Sequence, residues 1–330
     1  MDSCNGCQRK VFWVTPPVIE TRQLGRSFGP VEAVRDLTLS LGRGTFFGLV
    51  GPDGAGKSTA IRLLCGLLRP TSGEGRILGF DLFRETEAIK SRIGYLSQSF
   101  TLYGDLTVNE NIEFFAELHG VDRYQARRDE LLAMTRLAPF HNRLAAALSG
   151  GMKKKLALAC CLIHTPELLL LDEPSTGVDP VSRNEFWTLL KEILGRGITI
   201  IMTTPYLDEA ERCDRIGLMH QGTLIRLDTP QAIRNELHGK VVSVSGASLD
   251  TLHRLLKQHW PPAALVRYGD RLHFCSIHPG DLDKAGSWLR QNGIEATFQP
   301  VEPSLEDVFV SLMSREKQAT PVDTSKGTHE

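Results

Sequence analysis

The sequence predicts a layered α/β domain followed by a small α+β domain of ferredoxin-like order. Three observations carry that prediction. Strand-like and helical segments alternate from Val18 onward. Two apolar runs, 168–171 and 198–202, have the character of strands buried on both faces. The order strand-helix-strand-strand-helix-strand begins at about residue 240.

Taken in order, 18–24 and 33–41 read as strands, and 45–50 is a strand running into a glycine-rich turn. A helix over 57–68 is stopped by Arg69 and Pro70, and 93–96 is a short strand. The stretch 107–137 is helical, with Val108, Ile112, Phe115 and Leu118 at helical spacing, and reads as an insert. A helix after Ser149 carries Leu156, Leu158 and Ile163. Another spans 180–194 between the two buried runs. Residues 215–228, broken by Gln221 and Gly222, form a hairpin, and Thr229 with Pro230 opens a short helix.

The second domain follows. Strands are expected over 240–245, 265–267, 272–276 and 295–301, and helices over 249–259 and 279–291. Ser304 caps a last helix through Leu312, and the tail from Ser314 has too little apolar content to fold. The expected organisation is a flexible segment 1–17, a main domain 18–239 with its insert over 99–150, an accessory domain 240–313 and a disordered tail 314–330.

Composition narrows the function. The 330 residues are 41% hydrophobic and 23% charged, ordinary for a globular chain, and 38 basic against 39 acidic residues argue against retention on nucleic acid by bulk charge. No apolar run approaches the roughly 20 residues of a membrane-spanning helix, and the N-terminus lacks the pattern of a secretory signal. Seven cysteines suit a reducing compartment, and Cys4 with Cys7 reads as two reduced thiols because no second such pair completes a zinc site.

The chemistry lies in Gly51, Pro52, Asp53, Gly54, Ala55, Gly56, Lys57, Ser58 and Thr59, which match the phosphate-binding loop between an apolar strand and a helix. Glycines let successive N–H groups turn toward phosphate oxygens and the helix N-terminus adds positive dipole. Lys57 reaches the β and γ phosphates, and the Ser58 hydroxyl ligates magnesium. The apolar run 168–171 ends in Asp172 and Glu173, where strand C-termini meet ligands. Asp172 suits the magnesium shell and Glu173 suits orientation and deprotonation of an attacking water.

Leu148, Ser149, Gly150, Gly151 and Met152 lie shortly before that strand, and the string resembles the signature of ATP-binding cassette (ABC) ATPases over about 18–237. The resemblance implies a RecA-like core, an antiparallel β subdomain and a helical insert. It places Phe28 where an aromatic stacks on adenine, Gln98 where a glutamine senses magnesium and meets the membrane partner, and Asp179 where a loop couples two sites. It implies that Ser149, Gly150 and Gly151, at a helix N-terminus, complete the ATP site of an opposite subunit in a head-to-tail dimer. Two positions depart from the pattern. Met152 replaces the commoner glutamine, and Pro205, without a side-chain donor or an N–H, stands where the family has a histidine on the γ-phosphate. Thr203, Thr204 and Tyr206 are the neighbouring hydroxyls that could substitute.

The expected function is that of the MgATP-hydrolysing subunit of an exporter of drugs or other small amphipathic compounds. It would sit at the cytoplasmic face of the membrane with a separate permease and a second ATPase subunit, either a copy or a paralogue. The run 204–212 is similar to that of drug-exporter ATPases, and the C-terminal region ending in Pro303 to Phe309 resembles the accessory domain of drug and polysaccharide exporters. The alternatives are a regulatory subunit with little hydrolysis, favoured by Pro205, and a soluble ABC ATPase without a transport role.

Overall fold

The structure is a computed structural model and describes residues 16–99, 102–237, 239–246, 248–260, 264–276, 278 and 280–319. Cys4 and Cys7 lie outside the described residues. Two compact units are present. One comprises the described residues up to Pro205 with Met219–Leu224, and the other comprises Tyr206–Leu218 and the described residues from Ile225 on.

In the first unit, β1 (Ile19–Phe28) and β2 (Val31–Leu41) pair antiparallel, Ile19 opposite Leu41 and Phe28 opposite Val31. Alternation of buried Leu37, Leu39 and Leu41 with exposed Thr38 and Ser40 makes β2 a half-buried strand. Both strands run further than the apolar pattern indicates, because ladder bonds continue to the turn at Gly29, where φ is +58°. β3 (Phe46–Val50) is buried throughout and leads into α1 (Lys57–Leu64). This helix ends earlier than residue 68, at Cys65 and the left-handed Gly66 (φ +67°), so a glycine and not Pro70 stops it.

β4 (Ser72–Ile77) and β5 (Phe80–Asp81) complete an antiparallel sheet in the order β2-β1-β4-β5. α2 (Thr86–Lys90) leads to β6 (Ile93–Leu96). The insert contains two helices, α3 (Val108–Leu118) and α4 (Gln125–Met134), separated at the left-handed Gly120. Thr107 and Glu110 form a reciprocal capping box at the start of α3. α5 (Gly150–Leu162) then feeds β7 (Leu168–Asp172), and α6 (Pro180–Gly195) feeds β8 (Thr199–Thr204). Strands β3, β8, β7 and β6 lie side by side and all parallel, with Val50 opposite Thr204 and Asp172 opposite Thr203. Trp187 of α6 stacks on Phe46 of β3 with centroids 5.2 Å apart, sealing one face of the sheet.

The second unit begins with α7 (Leu207–Ala210), and the division passes through β9 (Arg215–His220) and β10 (Thr223–Asp228). After α8 (Pro230–Asn235) come β11 (Val241–Gly246), α9 (Leu249–His259), β12 (Ala264–Tyr268), β13 (Arg271–Cys275), α10 (Asp281–Gln291) and β14 (Ala296–Pro300). The antiparallel sheet has the order β12-β13-β11-β14, so each helix connects two strands separated by a third, the split β-α-β arrangement. Val244, Leu252, Leu256, Leu272, Phe274 and Leu289 form its core. α11 (Leu305–Ala319) runs past Leu312. Residues 315–319 are Arg, Glu, Lys, Gln and Ala, all strong helix formers, and helix propagation does not need apolar content.

Candidate active site

The phosphate loop is shaped by close approaches that exclude side chains. A Cβ on Gly51 would lie 2.1 Å from the Met219 carbonyl oxygen, and one on Gly56, where φ is +100°, would lie 2.2 Å from that of Ala33. Gly56 is also the N-cap of α1 and offers no side chain to bond its first N–H groups, so that turn presents unsatisfied donors and positive dipole at the loop. Lys57 is buried, and its ammonium donates to the carbonyls of Gly51 (2.8 Å) and Pro52 (3.0 Å) and pairs with Glu173 Oε1 at 3.4 Å. Pro52, Asp53 and Gly54 are exposed at the loop tip, Ala55 is buried beneath them, and Thr59 lies one residue into the helix from Ser58.

The carboxylates arrive on the end of β7. Asp172 is fully buried, and its Oδ1 accepts from Ser58 Oγ (2.9 Å) and Thr203 Oγ1 (2.8 Å), while Oδ2 is buried without a hydrogen-bond partner. Leaving one oxygen of a buried carboxylate without a donor is costly, and a cation satisfies it at the same stroke. A divalent metal therefore fits this donor set of hydroxyl and carboxylate oxygens. Glu173 adopts φ +47°, a left-handed conformation uncommon for a residue with a side chain and frequent where geometry serves chemistry. Its Oε2 accepts from Gln98 Nε2 (3.1 Å) and Thr176 Oγ1 (3.4 Å), and its N–H donates to Thr203 Oγ1 (3.0 Å). Beneath the site, burial and the charge of Asp172 push the Cys65 thiol well up, so it stays protonated.

The profile of the ABC transporter family matches residues 34–176. A Nod factor export ATP-binding protein I from Bradyrhizobium diazoefficiens is 37% identical over 298 residues, covering 89% of this chain and 95% of that protein. The chain belongs to the ABC transporter ATP-binding family. A probable multidrug ABC transporter ATP-binding protein, YbhF of Escherichia coli, is 42% identical over 220 residues; the match takes in 66% of this chain and spans only 38% of that relative's length. Among solved structures, the ATP-binding cassette MJ0796, dimeric in a post-hydrolysis state with ADP and Pi, superposes with TM-score 0.58 at 26% identity and covers 64% of this chain and 98% of that one. Residues 34–176, all within the first unit, thus belong to an ABC-type ATPase cassette.

Within the cassette, Lys57, Ser58, Gln98, Asp172 and Glu173 converge as one bonded group, whereas the other residues singled out from the sequence have separate local roles. Phe28 is 46% exposed at the end of β1, its ring covered by the Arg26 guanidinium at 4.5 Å. Ser149 caps α5, accepting from Met152 N at 3.3 Å. Gly151 packs against Ser182, where a Cβ would meet Oγ at 2.4 Å; a Cβ on Gly150 would have nothing within 4 Å. Asp179 caps α6 through the N–H groups of Val181 (3.1 Å) and Ser182 (2.9 Å), and the Ser182 bond above all draws its carboxyl below the usual range. Pro205 follows β8 directly, and Tyr206 begins the second unit.

Thr203 is the residue whose role the sequence pattern does not disclose. Its one proton is directed at Asp172, so it is not the replacement donor for Pro205 that its position suggests. No sequence signal marks Thr176 as a partner of Glu173 either. Lys154, its charge disfavoured by burial, reaches from α5 to the Gln98 carbonyl at 3.2 Å.

Proposed function

We propose that the chain is the ATP-binding subunit of an exporter, that it hydrolyses ATP at the cluster around Lys57 and Glu173, and that this drives a separate membrane permease. The observation that carries the reading is the convergence of Lys57, Ser58, Asp172, Glu173 and Gln98, drawn from segments far apart in sequence, at the mouth of an uncapped helix N-terminus. Backbone N–H groups of Gly54, Gly56, Lys57 and Ser58 and the Lys57 ammonium hold the triphosphate, and Phe28 offers the base the ring face that Arg26 does not cover. Ser58, Asp172 and Gln98 would hold Mg2+, which when bound neutralises charge on the β and γ phosphate oxygens. Glu173 orients a water and takes its proton as the water oxygen bonds to the γ-phosphorus. The bond to the bridging oxygen breaks, and ADP and inorganic phosphate are released. Gln98 and Thr176, on one oxygen of Glu173, leave the other to Lys57.

Two such subunits, two copies or a copy and a paralogue, would close head to tail, each contributing Ser149, Gly150 and Gly151 to the other's ATP, with Asp179 near the shared seam. The permease would be a separate chain, as the relatives named as exporter ATP-binding proteins suggest; among the described residues no helix is long and apolar enough to cross a membrane. The place of work is then the cytoplasmic membrane face. The accessory domain is assigned to 240–313 and the cassette to 18–239. Relatives named for multidrug and Nod factor export point to drugs or other small amphipathic compounds as cargo.

Pro205 favours a second reading, a nucleotide-dependent clamp with little turnover. Steady-state phosphate release decides between them. The wild type is expected to turn over at least about tenfold faster than Glu173→Gln, and equal rates in the two would favour the clamp. Copurification with a hydrophobic membrane protein tests the exporter assignment separately.

A further inference from the structure

We infer that Thr203 is a positioning residue of the ATPase site, one that sets which oxygen of Asp172 faces the metal and holds Glu173 in its left-handed conformation. The inference deepens the hydrolytic reading above and rests on it for its kinetic arm.

The parallel register places Thr203 directly opposite Asp172, and both residues are fully buried. A threonine hydroxyl has one proton and two lone pairs, and here each side of that capacity meets a different residue. The proton goes to Asp172 Oδ1 at 2.8 Å, and a lone pair receives the N–H of Glu173 at 3.0 Å. One hydroxyl therefore ties together two successive residues with different tasks. With Ser58 also donating to Oδ1, both available donors gather on one oxygen, and Oδ2 is left bare. If the Thr203 donor is lost, only the Ser58 bond distinguishes the two oxygens, and the carboxylate is less firmly held about its terminal torsion. If its acceptor is lost, the buried Glu173 N–H loses the partner that favours the φ of +47° over a relaxed conformation. The side chain touches neither nucleotide nor water in this scheme; it acts through its two neighbours.

The test compares wild type, Thr203→Val, Thr203→Ala and Thr203→Ser, with Glu173→Gln as the reference for lost chemistry. Two readouts are taken: kcat and KM for ATP, and the thermal midpoint with ATP alone against ATP plus MgCl2. In Val and Ala, kcat is expected to fall about ten- to a hundredfold with KM within about threefold, and the extra stabilisation that Mg2+ adds to ATP should vanish. ATP alone should stabilise as before, and Ser should restore both properties. Wild-type turnover in Thr203→Val and Thr203→Ala would overturn the inference, as would a retained Mg2+ increment or failure of Ser to rescue. If wild type and Glu173→Gln hydrolyse equally, the hydrolytic reading falls, and the Mg2+ increment still decides the role of Thr203. A general loss of packing would lower the midpoint without nucleotide and leave the Mg2+ increment in place, which counts against positioning.

Discussion

The cassette contains two glycine-rich turns that lead into a helix, and they are built differently. At α1 the glycines are demanded by the fold: Gly51 and Gly56 lie against carbonyl oxygens, and the following Lys57 and Ser58 are bonded to carboxylates of the same chain. At α5 the cap is already made by Ser149, Gly151 is fixed by contact with Ser182, and Gly150 has open space where a side chain would stand. The first turn carries its own charge partners. The second offers donors with no phosphate-side partners around them, the form expected of a receptor completed by something outside the chain. Packing gives no reason for glycine at Gly150, whereas contact with a ligand does.

The sharpest way to break that comparison is to change charge and bulk at the two turns separately. Lys57→Ala is expected to lower ATP affinity at least tenfold and turnover by about a hundredfold or more, measured by nucleotide titration and phosphate release. Gly150→Glu should leave the melting temperature and nucleotide affinity of the isolated subunit unchanged and still reduce turnover about a hundredfold, because the open side is where the partner's triphosphate would come. If Gly150→Glu instead weakens nucleotide affinity as much as Lys57→Ala, the α1 and α5 turns are not functionally distinct. Gly151→Ala should act on the fold and not the chemistry. Its Cβ meets Ser182 Oγ at 2.4 Å, and relief by a rotated serine or a shifted α6 would cost about 1–3 kcal/mol, read from denaturant midpoints. Ser149→Ala removes one cap bond and should cost about 1 kcal/mol in the same measurement.

The same contrast explains what is legible in the sequence. The phosphate loop can be read from its string because its chemistry is local: backbone turns, one ammonium and one hydroxyl within eight residues. Asp172 and Glu173 follow because a buried strand must end somewhere, and its end is where ligands sit. Gln98 comes only through resemblance, and its bond to Glu173 is a tertiary fact. Thr203 cannot be assigned from adjacency to Pro205, since its role comes from the register between β7 and β8, which no local pattern encodes. β4 and β5 escape for another reason. Ser72–Ile77 reads Ser, Gly, Glu, Gly, Arg and Ile, without an alternating apolar face, and takes its form from pairing with β1. The insert looks continuous because helical spacing persists on both sides of Gly120, and the left-handed residues Gly120 and Arg123 divide it.

The smallest expected effect concerns the far end of α5 and sets the pH range in which the α1 and α5 turns can be compared. His164 stacks on His119 with centroids 3.9 Å apart and donates from Nε2 to the Ile93 carbonyl at 3.0 Å, leaving Nδ1 buried without a partner. Burial first, and the neighbouring His119 second, lower His164 from 6.5 to about 4. The surrounding thiols of Cys65, Cys160 and Cys161 are all pushed up by burial and stay protonated, so they do not titrate in this range. Between 6.5 and about 4 the unfolded chain therefore holds a proton that the folded chain refuses, and stability falls as pH falls. Asp179 is lowered for a different reason, hydrogen bonds that favour its charged form: its carboxyl is drawn below 3.8 on folding, so its contribution is full above 3.8 and is lost as pH drops through the folded value. The two windows barely meet. His164→Gln, which keeps a donor for Ile93, should flatten the decline in melting temperature between about pH 6.5 and 4.5, while Asp179→Ala should leave that slope as it is. If Asp179→Ala flattened it instead, acid sensitivity would belong to the helix N-termini around the site, and turnover measured below neutral pH would no longer separate the phosphate loop from the receptor at α5.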